Sequence, residues 1–401
     1  MLALIHYDEI ALKGGNRKFF EQKLAENVKK SLCQKGIVFD SVKRVYGRVL
    51  VNFPDDREKE TIRAVLKNIF GIAHFSFAQE CAKDIEKIKE KSFDVLSRQE
   101  FTTFKVETKR GDKNFALTSQ QVNEQVGEHI LMWLENERSL APFNKGAKLL
   151  SASKVKLDNP DITLYIEIAE KDVFLYTEKI AGPGGLPSGV SGKAICLISG
   201  GIDSPVAAWY LMKRGVAAVF VHFYSTQQGY EQSLEKVRDL VRALNAFGLN
   251  SKIYFVSFSD IQKEIVLSTQ ADLRVVLYRR FMFAVASEIA QKEGAKALIT
   301  GENVGQVASQ TLDNMLVISQ ATSLPILRPL AGFDKIEIID KAKKIGTYEI
   351  SIQPHLDCCS MFVPKHPQTK ADLKEVRKQE KKLKVKKLIA SAIKNAKIET
   401  I

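Results

Sequence analysis

The segment Ser199-Gly200-Gly201-Ile202-Asp203-Ser204 constrains the fold of this chain more than any other feature. The apolar run 194–198 before it predicts a buried strand, and residues 206–214 after it predict a helix. We expect Ser204 to cap that helix, with Pro205 in its first turn. Glycines at such a junction let the backbone approach a ligand closely, and a helix N-terminus offers free N–H groups to an anion. The segment therefore predicts a phosphate-binding turn.

Two common nucleotide-binding motifs do not describe this turn. The P-loop requires a lysine after its glycines, and none follows here; the dinucleotide fingerprint requires Gly-x-Gly-x-x-Gly. The pattern Ser-Gly-Gly-x-Asp-Ser instead resembles the pyrophosphate loop of the N-type ATP pyrophosphatases, which cleave ATP to AMP and pyrophosphate. The alternative is an ordinary glycine-rich turn of an α/β sheet. Six fitting residues between a strand and a helix favour the pyrophosphatase interpretation.

Length and composition exclude several classes of protein. A chain of 401 residues predicts two or three domains, and its longest apolar runs fall well short of the roughly 20 residues that span a bilayer. The first residues include Asp8 and Glu9 and lack a basic region, so no signal peptide is indicated and we expect a cytoplasmic protein without membrane contact. The five cysteines form no Cys-x-x-Cys pair, which argues against zinc ribbons, iron–sulfur clusters and disulfide scaffolds.

Positive charge is concentrated towards the C-terminus. The net charge is +13, and residues 370–401 alone hold 11 basic and 4 acidic side chains. A surplus of this kind suits a polyanionic partner, most often nucleic acid. The alternative is a solvated Lys-rich helix that serves solubility. A second cluster of positive charge, Lys105–Lys113, is a candidate RNA contact or a solvated loop.

The order of predicted elements divides the chain into three parts. Residues 1–80 follow the order β-α-β-β-α-β of a ferredoxin-like domain, and residues 81–178 predict a separate α/β unit. A Gly/Pro-rich linker at 181–189 precedes a third part, in which strands and helices alternate from residue 193 onward. That alternation predicts a doubly wound parallel sheet.

Ligands of such sheets bind at the carboxyl ends of the strands. This places Leu197 and Ile198 beside His222 and Phe223, which end the next strand, and beside the segment 301–311. Arg279 lies on a predicted helix from which it could reach phosphates. Taken alone, His222 is more typical of a structural histidine and Arg279 of a salt-bridge partner. Their joint placement after strands supports a binding site.

Three separated motifs extend the resemblance to nearly the full chain. The runs 197–207, 301–312 and 357–359 are similar to motifs of the tRNA 4-thiouridine synthetases, bacterial sulfurtransferases that thiolate a uridine near the tRNA elbow. That family has an N-terminal ferredoxin-like domain, a THUMP domain for RNA binding and a pyrophosphatase (PP-loop) domain. The resemblance implies these three domains at 1–80, 81–178 and 179–401, the last with a basic C-terminal helix.

The resemblance also implies a two-step reaction. ATP adenylates the C4 oxygen of a tRNA uridine at position eight, and a persulfide sulfur then displaces AMP to give 4-thiouridine. Asp203 is the expected Mg²⁺ ligand and a catalytic residue, and Arg279 and Lys335 would neutralise phosphate charge. The implied nucleotide-binding residues are Leu197, Ile198, Ser199, Gly200, Gly201, Ser204, His222, Phe223, Arg279, Gly301 and Gln310.

Sulfur delivery requires a thiolate, and the vicinal pair Cys358 and Cys359 is the candidate carrier. Either cysteine could hold the persulfide, with the other resolving it. Longer family members carry a rhodanese domain with a further cysteine, whereas no cysteine follows Cys359 here. We therefore expect a separate cysteine desulfurase as sulfur donor. The rhodanese domain is the part linked to thiazole synthesis in some relatives, so the sequence does not decide on that role. The resemblance further implies a homodimer that binds tRNA.

Two other functions agree with parts of the sequence. A different adenylating ligase on the same catalytic domain, such as a lysidine- or amide-forming enzyme, would need no cysteine. An RNA-binding protein that uses ATP only structurally would release no pyrophosphate with tRNA. The two domains before the linker favour an RNA substrate over a small metabolite.

Overall fold

A computed structural model describes residues 1–45, 47–97, 99–140, 154–225, 230–354, 364 and 366–401, with the side chains of 136–140 left undescribed. The chain forms two compact units. Unit 1 comprises Met1–Ala11, Leu32–Lys67 and Ile72–Gly182, and unit 2 comprises Leu12–Ser31, Asn68–Gly71 and Pro183–Ile401. The helix and strand bounds below are numbered in chain order through both units.

The strands are β1 Leu2–His6, β2 Ser41–Val45, β3 Arg48–Asn52, β4 His74–Ala82, β5 Thr103–Arg110, β6 Lys154–Val155, β7 Ile162–Ile168, β8 Asp172–Tyr176, β9 Ile180–Ala181, β10 Lys193–Leu197, β11 Ala217–Tyr224, β12 Lys252–Ser257, β13 Leu298–Ile299, β14 Ile326–Leu327 and β15 Lys397–Thr400. The helices are α1 Arg17–Gln34, α2 Lys59–Leu66, α3 Ile85–Leu96, α4 Ser119–Leu140, α5 Asp203–Lys213, α6 Tyr230–Asn245, α7 Ser259–Ser268, α8 Arg274–Glu293, α9 Leu312–Ser319, α10 Lys335–Lys344, α11 Tyr348–Ser351, α12 Leu373–Glu380 and α13 Val385–Lys394.

Unit 1 is built on one extended sheet with the strand order β2-β3-β1-β4-β8-β7-β5-β6, and β9 also pairs with β4. Strand β4 joins the two halves of this sheet. Its residues 74–78 pair antiparallel with β1, and its residues 79–82 pair antiparallel with β8. Sequence patterning predicts a strand that ends at Phe77, whereas the observed strand continues to Ala82. The sheet therefore runs without a break through residue 80.

A buried carboxylate links four strands of this sheet. Glu167 accepts hydrogen bonds from Arg48 Nε at 2.7 Å and Tyr176 Oη at 2.9 Å, and His6 Nε2 lies 2.8 Å from its Oε1. Although burial alone would raise it, the His6 hydrogen bond and the Arg48 charge hold the pKa of Glu167 well below its ordinary value. The His6 ring stacks on His74 with centroids 4.4 Å apart. Burial, followed by the nearby His6, lowers the pKa of His74 to about 4.

Unit 2 contains a six-stranded sheet in the order β14-β13-β10-β11-β12-β15. Its first five strands are parallel, as the alternating pattern predicts. One face is covered by α5, α6 and α10, whose core residues include Val206, Leu240 and Ile338. The other face is covered by α7, α8, α12 and α13, which contribute Ile261 and Leu277. Helices on both faces leave the carboxyl edge of the sheet as the place for a site.

The basic C-terminal segment differs from the single helix predicted for it. It forms α12 and α13, and the chain then returns to the sheet as β15, antiparallel to β12. Backbone bonds of 3.0 Å join Ser251 and Ile401 in both directions, and Arg238 on α6 holds Glu399 at 2.8 Å. A four-residue edge strand has too few positions for a periodic pattern, so its pairing depends on these tertiary contacts.

Within the part of the chain that the structure describes, no helix has the length and apolar character needed to cross a bilayer.

Candidate functional site

The glycine-rich turn connects β10 to α5, as predicted, but Ser204 does not cap the helix. Helix α5 begins at Asp203, and Ser204 lies inside its first turn. The Ser204 hydroxyl instead accepts a hydrogen bond from the Ser199 backbone N–H at 2.9 Å and lies 3.1 Å from Ser199 Oγ. Gly201 N–H donates to Ser199 Oγ at 3.3 Å. Two hydroxyls thus close the turn, while the first turn of α5 supplies backbone N–H groups to its mouth.

Gly301 brings the loop after β13 against this turn. A Cβ at residue 301 would lie 2.7 Å from Ser204 N and 2.8 Å from Asp203 C, distances that side-chain carbons do not adopt. Only glycine permits this approach without moving the backbone. The absence of a side chain at 301 therefore sets the geometry of the turn.

A cavity opens where β10, β11 and β13 end. Every nucleotide-binding residue predicted from the sequence lines it, together with Asp203. These residues are Leu197, Ile198, Ser199, Gly200, Gly201, Ser204, His222, Phe223, Arg279, Gly301 and Gln310. The parallel sheet explains the convergence, because adjacent strands end at the same edge.

Three further lining residues, Val221, Met282 and Thr300, were not predicted, and Glu302 was predicted only as part of the segment 301–311. Helical spacing could have indicated Met282, which lies three positions after Arg279 on α8. Thr300 precedes Gly301 and could have been included with it. Val221 carries no polar group that would distinguish it from any buried strand residue.

His222 ties β11 to the end of β10. Its Nδ1 lies 2.9 Å from the Ile198 carbonyl oxygen, and the side chain is buried. Phe223 packs edge-to-face on Phe258, with centroids 5.4 Å apart. The contacts of both side chains hold the backbone of β10 and β11 in place at the cavity wall. They agree with a role for His222 in positioning that backbone.

The two adjacent arginines of α8 lie in different surroundings. Arg279 lines the cavity and is partly exposed, whereas Arg280 is buried and binds Glu380 through Nε at 2.6 Å and Nη2 at 2.9 Å. Successive helical residues point about 100° apart, which explains this separation. Of the two, Arg279 is placed to meet an anion in the cavity.

Both acidic side chains of the cavity are ion-paired. Lys335 Nζ lies 2.5 Å from Asp203 Oδ1, and Gln306 Nε2 donates to Asp203 Oδ2 at 3.1 Å. Glu302 is only 1% exposed and accepts a hydrogen bond from Arg328 Nε at 2.7 Å through Oε2. Its other oxygen, Oε1, has no hydrogen-bond partner among the described residues. The pairing keeps negative charge at the cavity small, which favours an anionic ligand.

Cys358 and Cys359 lie outside the described residues. The described segment before them is anchored, because buried Lys236 donates to the carbonyl oxygens of Ser351 at 2.8 Å and Gln353 at 2.6 Å. Ser351 Oγ also donates to the Gly201 carbonyl oxygen at 3.4 Å. Residue 351 therefore contacts the glycine-rich turn directly.

Two of the three cysteines that the structure describes are poor candidates for sulfur transfer. Burial raises the pKa of Cys196 well above its ordinary value and raises that of Cys81 to about 11. A thiol must ionise to act as a nucleophile, so both shifts oppose reactivity. Cys33 is exposed on unit 1.

A parallel sheet with a glycine-rich turn and a polar cavity at its carboxyl edge defines the class of nucleotide-binding α/β domains. Comparison with known proteins narrows this class. Residues 189–385 match the family model described as Thiamine biosynthesis protein (ThiI), residues 2–76 match the ThiI ferredoxin-like domain, and residues 82–178 match the THUMP domain.

Full-length relatives agree with these matches. A probable tRNA sulfurtransferase of Caldanaerobacter subterraneus subsp. tengcongensis is 45% identical over 388 residues, covering 96% of each chain. That of Moorella thermoacetica is 41% identical and covers 99% of this chain and 97% of its own. The crystal structure of a 4-thiouridine synthetase–RNA complex with bound ATP superposes with a TM-score of 0.85 at 38% identity, covering 100% of this chain and 99% of the other.

This chain belongs to the tRNA sulfurtransferase family and is an enzyme of that kind. The resemblance inferred from the three motifs is confirmed. The fold class is confirmed as well: a ferredoxin-like domain, a THUMP domain and a parallel-sheet catalytic domain.

Proposed function

We propose that this enzyme converts the uridine at position eight of tRNA to 4-thiouridine with ATP. The uracil C4 oxygen attacks the α-phosphorus of ATP, pyrophosphate leaves, and the uracil N3 proton is lost to solvent. Persulfide sulfur then replaces AMP at C4. The observation that carries this proposal is the cavity, which brings the Ser199–Ser204 turn together with Arg279 in a family member.

The proposed ATP site uses backbone groups for the base and charge for the phosphates. Ile198 and Phe223 lie at the strand ends, where the adenine would contact the chain. The amides of Gly200 and Gly201 would hold the leaving pyrophosphate, where negative charge increases in the transition state. The Arg279 side chain already lines the cavity, so its positive charge would act on the phosphates without a rearrangement of the side chain.

The chain's own groups fit Mg²⁺ only together with phosphates. No group of three or more metal-ligating side chains occurs among the described residues. Mg²⁺ commonly binds one or two carboxylates together with substrate phosphates, and Asp203 could be that carboxylate. Mg²⁺, when bound, would screen the phosphate charge. Asp203 would hold the metal, and Lys335, whose Nζ lies 2.5 Å from Asp203 Oδ1, would lie beside it to meet a phosphate.

Sulfur transfer is assigned to the vicinal cysteines. A cysteine desulfurase would load Cys358 or Cys359 as a persulfide. Its terminal sulfur attacks C4 and expels AMP. The remaining cysteine then attacks the inner sulfur and releases 4-thiouridine, and the resulting cysteine–cysteine disulfide is reduced by two equivalents of an external thiol.

The three domains are proposed at 1–80, 81–178 and 179–401, and the active form as a homodimer. The RNA in the solved relative supports tRNA as the substrate. The THUMP domain would hold the tRNA, as its presence in the family implies.

A thiolation assay tests the proposal. Unmodified tRNA transcript is incubated with enzyme, Mg-ATP, cysteine and a cysteine desulfurase, and nucleosides are analysed by mass. We expect 4-thiouridine from the wild type and its loss in Asp203→Asn and in at least one of Cys358→Ser and Cys359→Ser. Matched controls are Asp239→Asn, whose carboxylate on α6 pairs with Arg242 and does not line the cavity, and Cys33→Ser, an exposed cysteine.

The assay also separates the alternatives. AMP and pyrophosphate formed with tRNA by both the wild type and the double variant C358S/C359S, without 4-thiouridine, would indicate an adenylating ligase that needs no cysteine. Absence of pyrophosphate with tRNA would indicate an RNA-binding protein that holds ATP structurally. Either result contradicts the proposed reaction.

A further inference from the structure

A groove between α12 and α13 is lined mainly by cations. Five basic side chains face it: Arg377, Lys381, Lys384, Lys386 and Lys387. All five are exposed, and none has an ion-pair or side-chain hydrogen-bond partner within the described ranges. The three lysines of α3 in unit 1, in contrast, each pair with an acid three positions away. The groove therefore presents positive charge that the protein itself does not neutralise.

Among the described residues that line this groove, the single acid is already ion-paired. Glu380 binds buried Arg280 of α8 through both carboxylate oxygens. The Arg280 guanidinium neutralises the Glu380 carboxylate, so Glu380 does not offset the positive charge of the groove lysines. The arrangement keeps the groove uniformly positive, as an anion-binding surface requires.

The lysines also occupy positions that helix stability disfavours. Lys384 is the N-cap of α13, and Lys386 and Lys387 lie in its first turn, which contains no acidic residue. The N-terminus of a helix carries partial positive charge, so cations there destabilise the helix. Lysines kept for solubility would be stabilising in the last turn instead. Their placement against local stability indicates that another requirement fixes it.

The groove and the cavity share helix α8. Arg279 lines the cavity, and the next residue, Arg280, anchors the groove through Glu380. The segment that leads into α12 also rests on α9, where Asn314 Nδ2 donates to the Gln368 carbonyl oxygen at 2.7 Å. A ligand in the groove would therefore lie on the same domain as the cavity and close to it along α8.

We infer that this groove binds the phosphate backbone of the tRNA while the target uridine occupies the cavity. The inference rests on the proposed function and adds a contact surface on the catalytic domain itself. Phosphates spaced along a strand suit a row of flexible ammonium groups, which bind as point charges without reading sequence. The groove would hold the tRNA in register without selecting its bases.

The test is the salt dependence of tRNA binding without ATP. The triple variant K384Q/K386Q/K387Q removes three cations, and K292Q/K296Q/K344Q removes three exposed lysines near helix ends far from the carboxyl edge. Binding of unmodified tRNA transcript is measured by fluorescence anisotropy at 50, 100 and 200 mM KCl. Arginine replacements K384R/K386R/K387R retain the charge, and thermal unfolding verifies that each variant folds.

Each phosphate contact contributes about −0.9 to the slope of log K against log salt. The groove variant should therefore have a slope shallower by about 2.7, so between 50 and 200 mM salt the wild type loses roughly 40-fold more affinity than the variant. The matched control and the arginine variant should behave like the wild type. ATP affinity of all variants should be unchanged.

Equal slopes for the wild type and the groove variant would overturn the inference. Normal tRNA binding combined with loss of sulfur transfer from a desulfurase would also overturn it, and would assign the groove to a protein partner. Failure of the wild type to form thiouridine would count against the proposed reaction instead, so the two failures are distinguishable.

Discussion

Gly301→Ala tests whether the close approach of two loops creates the nucleotide site. The new Cβ would lie 2.7 Å from Ser204 N, and relief to 3.4 Å requires a backbone shift of about 0.7 Å. Overpacking of this kind costs about 1–3 kcal/mol, which lowers the melting temperature of a unit of this size by roughly 2–12 °C. A shift near 1 Å at reacting groups costs about 100-fold in rate.

Gly332→Ala is the matched control, because a Cβ there meets nothing within 4 Å and its backbone needs no positive φ. Both variants are compared by thermal unfolding, by ATP titration and by pyrophosphate release with tRNA. We expect Gly332→Ala to match the wild type and Gly301→Ala to lose stability, ATP affinity and about two orders of magnitude in rate. If Gly301→Ala unfolds and turns over like the wild type, the proposed role of this contact is refuted.

Three further predictions follow from individual contacts. Arg328→Met leaves Glu302 buried without its partner, so thermal unfolding should show a loss of about 3–5 kcal/mol, and an unchanged melting temperature would contradict this. Lys335→Gln should weaken ATP binding roughly 10- to 150-fold in calorimetry, since charge-assisted hydrogen bonds contribute about 1.5–3 kcal/mol; equal affinity would exclude a phosphate contact. The pKa of His74 is about 4 in the folded chain and 6.5 in the unfolded chain, so the unfolded chain takes up the proton first and the stability should fall as the pH drops from 6.5 to 4. His74→Asn should flatten this pH dependence in melting curves recorded at several pH values. An unaltered profile would contradict the prediction.

The sequence predicted which residues line the site better than it predicted the hydrogen bonds between them. Glycines between a strand and a helix, and the rule that parallel strands share a carboxyl edge, were sufficient to bring the turn, His222 and Arg279 together. The capping role of Ser204 was wrong, because helix ends are uncertain by one or two residues in sequence patterns and the first turn extends back to Asp203. The hydroxyl that was expected to cap the helix closes the turn instead.

Other features of the fold and the site depend on long-range contacts that local sequence patterns cannot predict. Glu302 lines the cavity because Arg328, 26 positions later, holds it there. Strand β15 forms because an edge of the sheet is available to it, and its four residues carry no decisive alternation. The continuation of β4 to Ala82 requires a partner strand that begins only at residue 172. Each is set by residues distant in the chain.

Transfer of oxygen from uridine to AMP tests the central claim most directly. A tRNA transcript with ¹⁸O at C4 of the position-eight uridine is incubated with enzyme, Mg-ATP, cysteine and a cysteine desulfurase, and AMP is analysed by mass. Adenylation of the C4 oxygen predicts one ¹⁸O in AMP for each 4-thiouridine formed. Thiouridine accompanied by unlabelled AMP would show that ATP activates another group and would contradict the proposed mechanism.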